Sequence, residues 1–146
     1  MMILTKKRIL VELERYDKDT LVRRKHIFDL YAKELGKNVL IDIPVYKTAE
    51  KESSYHLFPI RIKGVNEQQR DEIIRLIFEE DVSVNVHFIP VPAMSFYKNL
   101  GYNIKNYPVT LDNYSREISL PVYYNLSDDN VKTVCAAVNK AIKQVL

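Results

Sequence analysis

The feature that most constrains this chain is a helical repeat filling its first quarter. Ile9, Leu13, Tyr16, Thr20, Ile27, Tyr31 and Leu35 recur at spacings of three and four residues or their sums, which lines them along one helical face. Charged residues fill the other face, and Gly36, followed by Lys37 and Asn38, is a stop signal. The pattern predicts a helix from about Thr5 to Leu35, with a break near Asp17-Lys18-Asp19-Thr20. The mean helix of a globular protein has only about 11–12 residues. A helix this long at one end of a small chain predicts a connector, residues 1–37, that packs on something beyond its own body. Residues 38–146 then form the compact part of what is one structural domain in all.

The rest of the chain alternates short strands with amphipathic helices. Val39 to Val45 ends its weak alternation at Pro44 and reads as an extended edge. Tyr55 to Ile62 reads as a strand, with Tyr55, Leu57, Pro59 and Arg61 on one face and His56, Phe58, Ile60 and Ile62 on the other. Pro59 has no N–H for a ladder, so that strand should be an edge or carry a bulge. Asn66 and Gln69 have capping-box spacing ahead of a helix with the apolar stripe Ile73, Ile74, Ile77 and Phe78. Ser83 to Ile89 reads as a second strand, with Val84, Val86 and Phe88 inward and Asn85 and His87 outward. Pro90 and Pro92 end it. A short helix follows over 94–100, stopped by Gly101, and another over about 109–117 behind Pro108. Ile118 to Val122 reads as a third strand, and Ser127 caps a last helix buried through Val131, Val134, Val138, Ile142 and Val145. The order predicts an α+β fold with a small, mostly antiparallel sheet packed with helices. Val84, Val86, Phe88, Ile60, Ile77 and Val138 are expected to share its core.

Composition narrows the function classes. A chain of 146 residues, 47% apolar and 28% charged, is of ordinary globular make-up. No apolar run nears the roughly 20 residues of a membrane span, and the apolar start is too short for a signal-peptide core, so a cytoplasmic protein without membrane partners is expected. The net charge of +3 implies no polyanionic partner. Residues 1–37 do carry ten Lys/Arg against six Asp/Glu, and Arg23-Arg24-Lys25 could touch phosphate, but such a cluster is more often a solvated helix face. Nucleic acid is therefore not an expected partner. The single Cys135 cannot form an internal disulfide and reads as a buried thiol. Gly36, Gly64 and Gly101 stand apart and make no phosphate loop, and His26, His56 and His87 lack metal-ligand spacing. The most suggestive local feature is Asn85-Val86-His87-Phe88-Ile89-Pro90, where polar side chains at a strand end can face a cleft or simply solvent.

Longer stretches resemble a known family. LVELERYD followed by RRKHIFDLYAKEL, SSYHLFPIRI, RDEIIRLIFEEDVSVNVHFIPV, FYKNLGY, YPVTLDNYSREISLP and YYNLSDDNVKTV follow, in order, segments of the DegT/DnrJ/StrS sugar aminotransferases. The likeness runs from about Ile9 to the C-terminus. It departs from the family pattern at Asp81 (a glycine there), Phe88 (a tyrosine), Pro92 (often a histidine) and Thr110 (an alanine).

The resemblance implies the small C-terminal domain of a fold-type I PLP-dependent transferase. Such enzymes move an amino group, usually from glutamate, to a keto group of a nucleotide-linked sugar for surface polysaccharide or antibiotic sugars; some relatives dehydrate the sugar instead. The lysine that forms the Schiff base with PLP, the acid on the pyridinium nitrogen and most phosphate contacts would lie in a large domain absent from this sequence. The chain alone is therefore expected to bind no PLP or metal and to carry no catalytic residue. By resemblance, Tyr55, His56, Asn85 and His87 lie on the substrate-cleft side. The nucleotide sugar would be a partner only in a full-length context, and the apolar residues in the first half of the N-terminal helix are expected either to be covered by self-association with another copy of the chain or to remain exposed. The alternative is a stand-alone binding or regulatory module that kept the fold, which would show no large exposed apolar patch.

Overall fold

The computed structural model describes residues 2–146, with side chains from residue 9 onward. Its first quarter is helical throughout, as α1 (Met2–Arg15) and α2 (Leu21–Leu35) joined by one wide π turn, Tyr16–Thr20. In that turn Leu21 N–H reaches back to the Tyr16 carbonyl, so the expected break is a widening rather than an interruption. Asp19 holds it, accepting from Arg15 Nη2 at 2.8 Å and from the Tyr124 hydroxyl at 2.7 Å. The two helices have different fates. Ile27, Phe28, Tyr31 and Leu35 of α2 are buried in the core, whereas Ile9 and Leu13 of α1 are 54% and 65% exposed. Tyr16 is half-buried.

The sheet has three antiparallel strands in the order β1 (Ile41–Asp42), β2 (Phe58–Ile62) and β3 (Glu117–Leu120). On β2, Phe58, Ile60 and Ile62 face the core, each side chain contributing about 1.5–3 kcal/mol of apolar burial. Against expectation, β2 is the central strand although it carries Pro59. The register explains why. Pro59 opposes Ser119, whose N–H and C=O both turn away to Asn85, so that pair exchanges no backbone bonds. On its other side β1 pairs only with Arg61 and Ile62, so the missing N–H falls beyond the end of β1.

Upstream of β2 the expected alternation fails. Tyr55 is buried and His56 exposed, the reverse of the pattern, because Tyr55 adopts a left-handed φ of 53° that breaks the two-residue period. The Ser83–Ile89 strand also shrinks, to the single bridge Asn85–Ser119. Val84 is buried, but Val86 is only half-buried and Phe88 is 81% exposed, so Phe88 does not join the core.

Helix α3 (Glu67–Phe78) starts on the Asn66–Gln69 capping box and ends before Asp81, whose φ of 57° is the left-handed turn a glycine would take at less cost. A short helix α4 (Ser95–Asn99) leads to Gly101 at φ 90°. Helix α5 (Pro108–Arg116) runs directly into β3, and α6 (Asp128–Val145) starts on the Ser127 cap. Helices α2 and α3 both pack on α6, and Ile73, Ile77, Val131, Val134 and Val138 fill the space beneath the sheet. Phe78 of the expected α3 stripe is 50% exposed. Among the described residues no helix is long and apolar enough to cross a membrane.

Candidate functional site

The outer face of β2 meets α5 and the segment after Asn85. Alternation turns Pro59 and Arg61 to this face while their neighbours enter the core. Arg61 Nη1 donates to Asn113 Oδ1 of α5 at 2.6 Å. Between these elements lies a cavity of about 400 Å³. Pro44, Pro59, Phe88 and Pro90 supply apolar walls, and Arg61, His87, Asn113 and Glu117 supply polar groups. Few convergent polar groups in an apolar concavity are the usual make-up of a small-molecule site.

Two buried charged side chains are tied to this lining: Glu117 belongs to it, and Arg70 bonds to its backbone. Glu117 is 8% exposed; its Oε2 accepts from His87 N–H at 2.8 Å and its Oε1 from Ser119 Oγ at 2.5 Å. Arg70 of α3 is 1% exposed and spans from its own helix to the α5–β3 junction. Its Nη1 donates to the carbonyls of Tyr114 at 2.8 Å and Glu117 at 3.2 Å, its Nε to Asp71 Oδ1 at 2.7 Å, and its guanidinium lies 5.2 Å from the Tyr114 ring centroid. The sequence does hold a signal for Arg70. It precedes Ile73 and Ile77 by three and seven residues and so shares their buried stripe.

The four residues placed on the cleft side by resemblance do not converge. His87 is exposed and lines the cavity, its ring edge-on to Phe88 at 5.3 Å. Its main chain has a carboxylate partner in Glu117. His56 and Asn85 line a separate groove with Ser119 and Pro121. Tyr55 is in the core, 5.1 Å from the Phe28 ring, and its hydroxyl donates to Glu52. Burial first and this bond second push the Tyr55 phenol well above its ordinary range. Arg61, Asn113 and Glu117, which do meet, carry no motif that singles them out in the sequence.

A second charged constellation lies at the start of α6. Asp128 accepts from His26 Nε2 at 2.9 Å and Arg23 Nη1 at 2.7 Å, and these bonds, His26 first, hold its carboxyl below the ordinary range. All three side chains are partly exposed, and the cluster ties α2 to α6.

A family profile described as the DegT/DnrJ/EryC1/StrS aminotransferase family matches residues 9–139. The chain belongs to this family. It is 31% identical over 128 residues to a Campylobacter jejuni UDP-4-amino-4,6-dideoxy-N-acetyl-beta-L-altrosamine transaminase, covering 84% of this chain and 32% of that protein. It is 32% identical over 127 residues to the uncharacterized protein MJ1066 of Methanocaldococcus jannaschii, covering 84% of this chain and 32% of that one. Among solved structures, the PMP form of the Streptococcus pneumoniae protein assigned as sugar aminotransferase Spr1654 superimposes with a TM-score of 0.89 at 35% identity, over 94% of this chain and 34% of that one. The chain thus spans about a third of the length of these relatives.

The DegT/DnrJ/EryC1/StrS enzymes depend on pyridoxal phosphate, which is held through a lysine. Among the described residues no lysine is buried and none lines the cavity beside His87. The residues present do not fit that cofactor.

Proposed function

We propose that these residues form the C-terminal small domain of a nucleotide-sugar aminotransferase, one wall of a substrate cleft whose cofactor-binding part lies in the two thirds of the relatives' length that this chain does not span. The observation that carries this reading is the exposed apolar arm that follows the cavity. Phe88, Ile89, Val91, Phe96, Leu100 and Val109 are each at least half exposed, with values from 50% to 81%. Six large apolar side chains left in water within one stretch of chain, residues 88–109, support a face that another body covers. It does not suit a self-contained module, which would have no reason to leave it in water.

In this reading His87, Arg61 and Asn113 face the nucleotide-linked sugar. The apolar walls exclude water around it, and Arg61, already held by Asn113, keeps donors for an acceptor group of the ligand. The chain alone transfers no amino group. A cytoplasmic location and contact with the sugar only in a full-length context belong to the same proposal.

A PLP titration of the purified chain, followed by visible absorption, tests the inactive part of the reading. No Schiff-base band is expected. A stoichiometric band that vanishes on replacing one lysine would overturn it.

A further inference from the structure

The bridge between Asn85 and Ser119 fixes where the sheet should go next. Ser119 N–H donates to the Asn85 carbonyl at 2.7 Å and Asn85 N–H to the Ser119 carbonyl at 3.2 Å. In an antiparallel ladder the next pair to exchange two backbone bonds is two residues further along each chain, His87 with Glu117. Neither backbone group of Glu117 is free for it. Its N–H closes the end of α5 on the Tyr114 carbonyl, and its carbonyl accepts from Arg70 Nη1 at 3.2 Å.

The side chain fills the gap. Glu117 Oε2 accepts the His87 N–H at 2.8 Å, while Ser119 Oγ donates to Oε1 at 2.5 Å and fixes the rotamer. Among the described residues no other hydrogen bond ties residues 86–90 to the body of the fold. Packing compensates little, because Phe88 is 81% and Ile89 53% exposed and Val86 and Pro90 are only half-buried.

We infer that Glu117 is the positioning residue of the cavity: its carboxylate stands in for a missing rung of the sheet and thereby sets the peptide from which the His87 imidazole projects. The functional meaning rests on the substrate-cleft reading above, whereas the geometry does not.

Reach, more than charge, is what this role demands. Glu117→Gln keeps an oxygen at the same distance, and Ser119 Oγ can accept from its amide. Glu117→Asp keeps the charge but is one methylene short. Hydrogen exchange of the His87 amide, read by NMR on the full chain without added ligand, separates the two. Glu117→Asp should speed His87 exchange by about tenfold or more, the loss expected for a charge-assisted bond. Glu117→Gln should cost no more than about fivefold and clearly less than Asp, on the scale of exchanging one such acceptor for a neutral one. The His87 ring signal should move toward that of a free histidine in the Asp variant only. Ile60 and Ile118 amides, in the middle of the sheet, report that the fold is intact. If Glu117→Asp leaves His87 exchange unchanged, or Glu117→Gln loses as much protection as Asp, the inference is overturned. Ser119→Ala, which frees the carboxylate rotamer, should raise His87 exchange a few-fold, and an unchanged rate would also count against it. Because none of these readouts involves substrate, their failure leaves the substrate-cleft reading standing, and failure of that reading leaves them untouched.

Discussion

Replacing Arg70 probes the junction on which the cavity is built. Arg70 is 1% exposed, and its guanidinium joins α3 to the end of α5 and the start of β3. Arg70→Met keeps most of the volume and removes the donors. The Tyr114 carbonyl still has the Glu117 N–H, so only the Glu117 carbonyl loses its partner, at a cost of about 1–3 kcal/mol for an unsatisfied buried group. Loss of the stacking on Tyr114 adds about 0.5–1 kcal/mol. Against this, Asp71 and Glu67 are 61% and 46% exposed and regain water, and a buried charge no longer has to be desolvated. The balance is a destabilisation of about 2 kcal/mol. Arg70→Ala adds a cavity and should cost about 4 kcal/mol in all. Urea denaturation followed by circular dichroism would show the Met variant's midpoint lowered by about 1 M, given a slope of about 2 kcal/mol/M for a domain of this size. An Arg70→Met variant that unfolds within about 0.5 kcal/mol of the parent would show that the junction does not need the guanidinium.

Three further outcomes follow from single residues. Asp81→Gly should raise stability by about 0.5–1 kcal/mol by removing a left-handed side chain, less the entropy glycine gains when unfolded, and thermal melts of Gly and Ala variants should rank Gly above Asp above Ala. The Asp128 carboxyl is held below its ordinary 3.8 by His26 and then Arg23, so its contribution is present above that value and disappears as pH falls through the lowered one; the melting-temperature gap between parent and Asp128→Asn should close as the pH is taken below 3.8. Burial pushes the Cys135 thiol up to about 12, so a thiol reagent at neutral pH should label the chain only at its unfolding rate, and rapid native labelling would contradict the burial.

Much of the fold is written in local periodicity. The α2, α3 and α6 stripes, the Asn66 and Ser127 caps and the Phe58-Ile60-Ile62 alternation depend on neighbours in sequence and are readable there. The errors arise where distant residues intervene. Tyr55 turns left-handed and swaps places with His56, leaving Tyr55 packed on Phe28 and Tyr46. The strand expected over 83–89 stops at Asn85 because its next partner has spent its backbone on α5 and Arg70, and Phe88 is left in solvent. The cavity beside His87 is not legible in the sequence, since Arg61, Asn113 and Glu117 come from three elements that only the tertiary fold brings together. Of the residues expected on the cleft side, only His87 lines this cavity.

The most direct test of the small-domain account is a hybrid enzyme. The Streptococcus pneumoniae protein matches this chain over 34% of its own length, so that third can be exchanged for this chain and amino transfer from glutamate to a UDP- or GDP-linked keto sugar followed with PLP present. Transfer by the hybrid and none by this chain alone is expected. Transfer by the chain alone, or a folded, PLP-loaded hybrid that transfers no amino group to any such sugar accepted by the parent enzyme, would contradict the small-domain account.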